Sequence, residues 1–368
     1  MKKNSKEYIF QLGNDQITPK ATYYPKEIEK KGLFTFYFSE DRSGLSKDTI
    51  NNEKIDAEIA KKNLVLRWFD LLRHFRLKKP KNVEMYLSQR PWHLLYYYFL
   101  AKIFNAKIII WCRGELRNYF SHHFLRRLAN KFLLKNADYV LLRELYMKEV
   151  LIKANIYNPQ KTLFFPNAIP VKDLFYKENV NKKRVLFLNS FKSFRNLDLI
   201  IEAAEIIHEK YPEIEFDLVG STLNNEGYSP SKEDYELRLI QMVKNKSLES
   251  VVHFHPFSSD RFKFFRFSFV FLLPADIVFC NYTLLEAMSQ EIPPIVADSD
   301  GSELIVDHNI SGLIVEKNKY KIADAIEKIY LNKGLQERMG ESARQKVLKD
   351  FNVENRANKL VEIYNQSK

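Results

Sequence analysis

The sequence predicts an α/β protein of two units, each a parallel sheet covered by helices on both faces. Short runs of β-branched, aromatic or leucine residues alternate with longer stretches whose apolar residues recur every three or four positions. The alternation falls into two halves around a polar hinge at about 166–183 (PNAIPVKDLFYKENVNKK). With 368 residues, 45% apolar and 28% charged, the chain can fill two cores of ordinary size.

In chain order, the strand candidates of the first half are 7–12 (EYIFQL), 33–38 (LFTFYF), 83–87 (VEMYL), 107–112 (KIIIWC), 138–142 (DYVLL) and 162–165. Those of the second half are 184–188 (RVLFL), 214–219 (IEFDLV), 251–255, 268–273, 293–297 and 312–315. Between them lie amphipathic stretches at 61–79, 119–135, 197–210 and 321–331, and a last helical pattern runs from 353 to 366. Such alternation reads as parallel strands with helical crossovers. The expected division is a domain at 1–168, a linker at 169–183, a second domain at 184–350, and a terminal helix, 351–368, crossing back to the first domain. Ligands of open α/β sheets gather at the carboxyl ends of the strands, which places the expected site in a cleft between the domains.

Composition narrows the class. Two cysteines, Cys112 and Cys280, make neither a disulfide framework nor a cysteine-rich metal site, so a reduced, cytoplasmic protein is expected. No His, Cys or Asp spacing matches a metal centre. The longest apolar runs, 91–104 and 268–280, fall short of the roughly 20 residues that cross a bilayer. Lys and Arg total 58 against 46 acids, a net charge of +12. Between Lys61 and Ala137 there are 17 Lys/Arg and three acids, Asp70, Glu84 and Glu115, so this stretch alone exceeds the net charge of the chain. Within it, 61–79 and 119–135 join basic residues to aromatic ones. That pattern suits an anionic membrane surface, such as the inner face of the cell membrane; a sheet-packed helix with a solvated basic side is the alternative. No nucleic-acid-binding signature accompanies the charge, so nucleic acid is not an expected partner.

The stretch richest in chemistry is 272–315. A strand ends near Leu273, a polar loop follows, and a helix opens around Thr283, with Glu286 expected in its first turn. Unpaired N–H groups at a helix start favour anions, and a carboxylate there can accept both hydroxyls of a diol. The alternative is that Glu286 only stabilises the helix N-terminus.

The pieces LLEAM (284–288), PPIVAD (293–298), DGSEL (300–304) and DHNISGLIV (307–315), in this order and spacing, resemble the C-terminal domain of retaining GT-B glycosyltransferases of family 4. A second block, 185–220, resembles the family's strand, basic loop and helix, and a third, 136–175, resembles the passage into the linker. Together they cover roughly 104–366. The resemblance implies two Rossmann-like domains and a nucleotide-diphosphate sugar as substrate, with no further cofactor. It places the donor on Ser190, Lys192, Arg195, Gly220, Asn281, Tyr282, Thr283, Leu284 and Glu286, the backbone amides of 281–284 included. Arg195 stands at the family's lysine and Ser190 at its arginine.

Counting eight back from Glu286 reaches Val278 where the family has its first signature glutamate, and Val278→Glu is the corresponding restoration. In the first domain Arg113, in WCRGELR, replaces a histidine often found after the equivalent of 107–112. Arg113 and Glu115 become the catalytic candidates, and Gly13 and Asn14 the remnant of the first glycine-rich loop. The implied acceptor is a saccharide, lipid-linked, in bacterial surface polysaccharide synthesis. Two other readings stay open: a GT-B protein that binds a nucleotide or partner without transfer, and a sugar-nucleotide epimerase.

Overall fold

The computed structural model describes residues 6–14, 23–39, 45–61, 63–87, 91–112, 114–174, 183–221, 234–258, 260, 262–278 and 281–366. The chain divides into two units, Met1–Pro170 with Val353–Lys368, and Val171–Asn352. The first holds a seven-stranded parallel sheet: β1 (Glu7–Asn14), β2 (Leu33–Ser39), β3 (Ala57–Ile59), β4 (Asn82–Tyr86), β5 (Lys107–Cys112), β6 (Tyr139–Leu142) and β7 (Thr162–Phe164). Its order is β3-β2-β1-β4-β5-β6-β7. The second holds β8 (Arg184–Leu188), β9 (Glu215–Ser221), β10 (Val252–Pro256), β11 (Ser268–Leu273), β12 (Pro294–Ala297) and β13 (Leu313–Val315), in the order β10-β9-β8-β11-β12-β13. Both sheets are doubly wound, and the direction of winding reverses between β1 and β4 and between β8 and β11.

Each of the twelve expected strands lies within two residues of an observed one. β5 and β11 are buried over their whole length, which is why their sequences read as continuous apolar runs rather than alternating ones. The thirteenth strand, β3, has three half-buried residues paired only with β2, too few to show a period. The stretch 119–135 is not one helix. A 3-10 segment Gly114–Ser121 ends before His123, which turns extended and accepts from Leu125 N–H, and the α-helix then runs Phe124–Asn136.

In the first unit one sheet face packs against the helices Leu64–Lys78, Pro91–Ile103 and Phe124–Asn136 through side chains such as Phe75, Leu94, Tyr97 and Leu133. The other face takes Tyr23–Glu29 and the C-terminal helix Val353–Asn365 through Ile28, Ala357, Leu360 and Ile363. Two buried polar anchors fix that last helix. Lys107 Nζ donates to the carbonyls of Ile363 (2.6 Å) and Tyr364 (3.1 Å), satisfying last-turn acceptors that a helix leaves unpaired. Tyr364 OH donates to Glu84 Oε1 at 2.6 Å while Gln11 Nε2 donates to Glu84 Oε2 at 2.8 Å. Burial, with Glu84 alongside, pushes the Tyr364 phenol well up.

Candidate functional site

In the second unit the winding reverses between β8 and β11, so the loops leaving these strands share one end of the sheet. The β8 loop turns through the short 3-10 segment Ser193–Arg195 and ends at Asn196 in the left-handed region, φ +53°. Three hydrogen bonds tie it to the β11 loop. Asp276 N–H donates to Phe194 O at 2.9 Å, and Asn196 Nδ2 donates to Pro274 O and Asp276 Oδ1, both at 2.9 Å. Asn tolerates this backbone conformation better than Ala. Asn196→Ala is therefore expected to cost about 1–2 kcal/mol through strain and lost hydrogen bonds, read as a lower urea midpoint.

The β11 loop leads into the helix Tyr282–Ser289, in which every residue from Thr283 on is buried. Thr283 Oγ1 donates to Leu188 O at 2.7 Å and so pins the helix start to the end of β8. Glu286 is the fifth residue of this helix, just past the first turn. It lies past the N–H groups that give a helix start its positive end. Simple stabilisation of the helix N-terminus therefore does not account for a carboxylate buried at this depth.

Arg195 is half-buried, and its Nη1 donates to Ser190 O at 2.8 Å. Among the described residues no carboxylate pairs with it. Burial pushes the guanidinium down to about 10, so it stays charged at neutral pH. A cation drawn out of water without a counter-ion costs stability unless a ligand supplies one. Lys192 and Ser190 are exposed in the same loop. Arg195→Gln is expected to leave the melting temperature of the ligand-free protein unchanged or higher while weakening diphosphate binding about tenfold. Differential scanning fluorimetry with and without nucleotide measures both.

The amides of Thr283 and Leu284 both donate to Asn281 Oδ1, at 3.0 and 3.3 Å, and Leu285 N–H reaches Asn281 O. Asn281 caps the helix, so these amides are not open to a phosphate. The neighbouring helix Leu197–Lys210 is closed in the same way, Leu197 N–H donating to Tyr235 OH at 2.9 Å. The Leu284 side chain is fully buried core. Gly220 has φ +127°, and a Cβ there would stand 2.1 Å from Asn189 O, so its bareness admits the β8 loop. Val278 is likewise fully buried, its N–H donating to Asp300 O at 3.2 Å. It is a core residue with no carboxylate-like exposure.

Two residues at this end escaped the sequence reading. Asn196 sits directly before an amphipathic helix, where it reads as a cap, yet it clasps the two loops. Lys317 pairs with Asp276 at 2.9 Å, and it and Asn196 hold the Asp276 carboxyl below its usual range.

In the first unit Gly13 is the residue before the last of β1, at the corresponding reversal, with φ +82°, and a Cβ there would meet Leu94 Cδ2 at 2.8 Å and Tyr86 O at 3.2 Å. Close packing against Pro91–Ile103 and β4 explains the glycine. The side chain of Asn14 lies outside the described residues, as do Arg113 and Cys280. Glu115 belongs to the 3-10 segment after β5, its side chain also outside them. Among the described residues, no three His, Cys, Asp or Glu side chains are grouped to hold a metal ion.

The family model for glycosyl transferases group 1 matches residues 172–346. An uncharacterized glycosyltransferase of Haemophilus influenzae is 21% identical over 252 residues, 68% of this chain and 67% of that one. Among solved structures, a glycosyltransferase from Rickettsia africae superposes with a TM-score of 0.78 at 16% identity, over 98% of each chain. Alr3699/HepE of Anabaena, solved in complex with UDP-glucose, gives 0.75 at 14% identity, over 97% of this chain and 98% of that one. Residues 172–346 thus form a glycosyl transferases group 1 domain, and the chain is a glycosyltransferase of the GT-B fold, with two Rossmann-type units.

Proposed function

We propose that this glycosyltransferase moves a sugar from a nucleotide-diphosphate sugar to a saccharide acceptor, with retention of configuration, and that the acceptor is a lipid-linked saccharide of a bacterial surface polysaccharide. The observation that carries the donor assignment is the half-buried Arg195, without a carboxylate partner among the described residues, at the sheet end from which the helix bearing buried Glu286 also begins. Arg195 and Lys192 take the diphosphate, because a planar guanidinium matches phosphate oxygens bidentately and the nearby helix amides of Thr283, Leu284 and Leu197 are already engaged. Glu286 accepts the two ribose hydroxyls. Asn281, Tyr282 and Ser190 border the donor, and Gly220 shapes the β8 loop beneath it. Side-chain charge serves where other enzymes use a metal, so no cofactor is required.

In the transfer, the acceptor hydroxyl attacks the anomeric carbon from the side the diphosphate leaves. Its oxygen forms the new C–O bond as the bond to phosphate breaks, and the departing phosphate oxygen takes its proton. Arg113 stabilises the charge growing on the leaving group, and Glu115 orients the acceptor hydroxyl. The basic stretches 61–79 and 119–135 hold the enzyme on an anionic membrane surface, where such acceptors reside; among the described residues no helix is long and apolar enough to cross one.

The test is release of nucleoside diphosphate from a panel of UDP-, GDP- and ADP-sugars, with and without lipid-linked saccharide acceptors. Release that depends on acceptor, with the donor's anomeric configuration kept in the product by NMR, is the expected result. Conversion of the donor without acceptor points to an epimerase. Tight diphosphate binding with no turnover on any acceptor points to a binding protein.

A further inference from the structure

We infer that the membrane contact is an aromatic face made by three neighbouring helices, centred on Pro91–Ile103, that inserts side chains into an anionic bilayer. The inference rests on the membrane part of the reading above and not on its donor chemistry. The helix Pro91–Ile103 is mostly apolar, yet Trp92 (55% exposed), Phe99 (54%) and Ile103 (77%) point to solvent. Its neighbours extend the face. Trp68 of Leu64–Lys78 stacks on Tyr96 with ring centroids 3.6 Å apart, and Tyr96 OH donates to Trp68 O at 2.9 Å. On the other flank Phe132 of Phe124–Asn136 meets Phe99 at 6.0 Å and Tyr98 at 5.3 Å. Phe69 (65%) and Phe124 (63%) stand exposed on the outer two helices. Contiguous apolar surface of this kind marks an interaction site rather than ordinary scatter.

Charge selects the occupant. These three helices carry nine Lys/Arg and one acid, Asp70. Two copies of the chain meeting through so basic a face would repel. An anionic lipid surface answers both properties, since its headgroups pair with the basic residues and its acyl boundary accepts aromatic rings. The net charge of the stretch alone would give a salt-sensitive, shallow association. Exposed Trp92, Phe99 and Ile103 add an apolar component that salt does not screen.

The experiment is co-sedimentation of the full chain with phosphatidylcholine vesicles and with equal-part phosphatidylcholine/phosphatidylglycerol vesicles, at about 0.1 M and about 1 M NaCl. The variants are Trp92→Ser/Phe99→Ser and Arg127→Gln/Lys131→Gln. Wild type should bind the anionic vesicles, with a fraction that survives high salt. The aromatic variant should lose that fraction and partition about tenfold to a hundredfold less, while the charge variant loses affinity chiefly at low salt. Binding abolished by high salt and unaffected by Trp92→Ser/Phe99→Ser overturns insertion. So does an absence of vesicle binding together with concentration-dependent dimers in sedimentation velocity, which would assign the face to a second copy. Circular dichroism melts of the same variants report folding and nucleoside diphosphate titrations report donor binding, so failure of the donor reading is not mistaken for failure of this one.

Discussion

Glu286→Gln is expected to lower kcat/KM for the donor about 100-fold while leaving the fold intact. The substitution keeps the size and shape of a side chain buried in Tyr282–Ser289, so packing is conserved. What it removes is the charge and one of two acceptor oxygens. Hydrogen bonds to a charged group contribute about 1.5–3 kcal/mol, and a diol held by a carboxylate loses one acceptor and faces an amide N–H instead. Because the nucleoside is remote from the bond that breaks, the loss should appear mainly in KM; binding energy shared by ground and transition states leaves kcat largely unchanged. Steady-state kinetics over a range of donor concentrations separate the two. An unchanged KM, or a fall confined to kcat, contradicts the ribose role.

Val278→Glu, which restores the family's signature glutamate by sequence alone, is expected to destabilise the second unit by about 3–5 kcal/mol rather than improve catalysis. Val278 is fully buried beside the backbone of Asp300. A glutamate there would either carry an unpaired charge into the core or take up a proton and remain without matched acceptors. A lower urea midpoint measured with activity tests this. A variant as stable as wild type would mean that the position opens to the donor after all.

Much of the fold was legible because it is written in short runs. Strands buried on both faces, such as β5 and β11, carry a polar residue only at their first position, Lys107 and Ser268, so nothing interrupts the apolar run, and the string from LLEAM to SGLIV keeps its spacing inside one stretch of chain. β3 left no such trace, and the break at His122 and His123 hides inside a pattern that still repeats every four residues. At the candidate site, the residue positions were readable but their surroundings were not. Asn281 before an apolar helix is an N-cap signal, and it accounts for the engaged amides of Thr283 and Leu284. Gly220 suggested close approach, yet its neighbour Asn189 lies on another strand's loop. The Asp276–Lys317 pair joins residues 41 apart, a separation with no local signature.

The direct test of the donor site is calorimetric titration of UDP, GDP, ADP and CDP into wild type, Glu286→Gln and Arg195→Gln. One diphosphate should bind wild type clearly more tightly than the other three, and each substitution should weaken it, Glu286→Gln through the nucleoside and Arg195→Gln through the phosphates. Binding of none of the four to a folded wild type, or binding that neither substitution alters, would contradict a donor site built on Glu286 and Arg195.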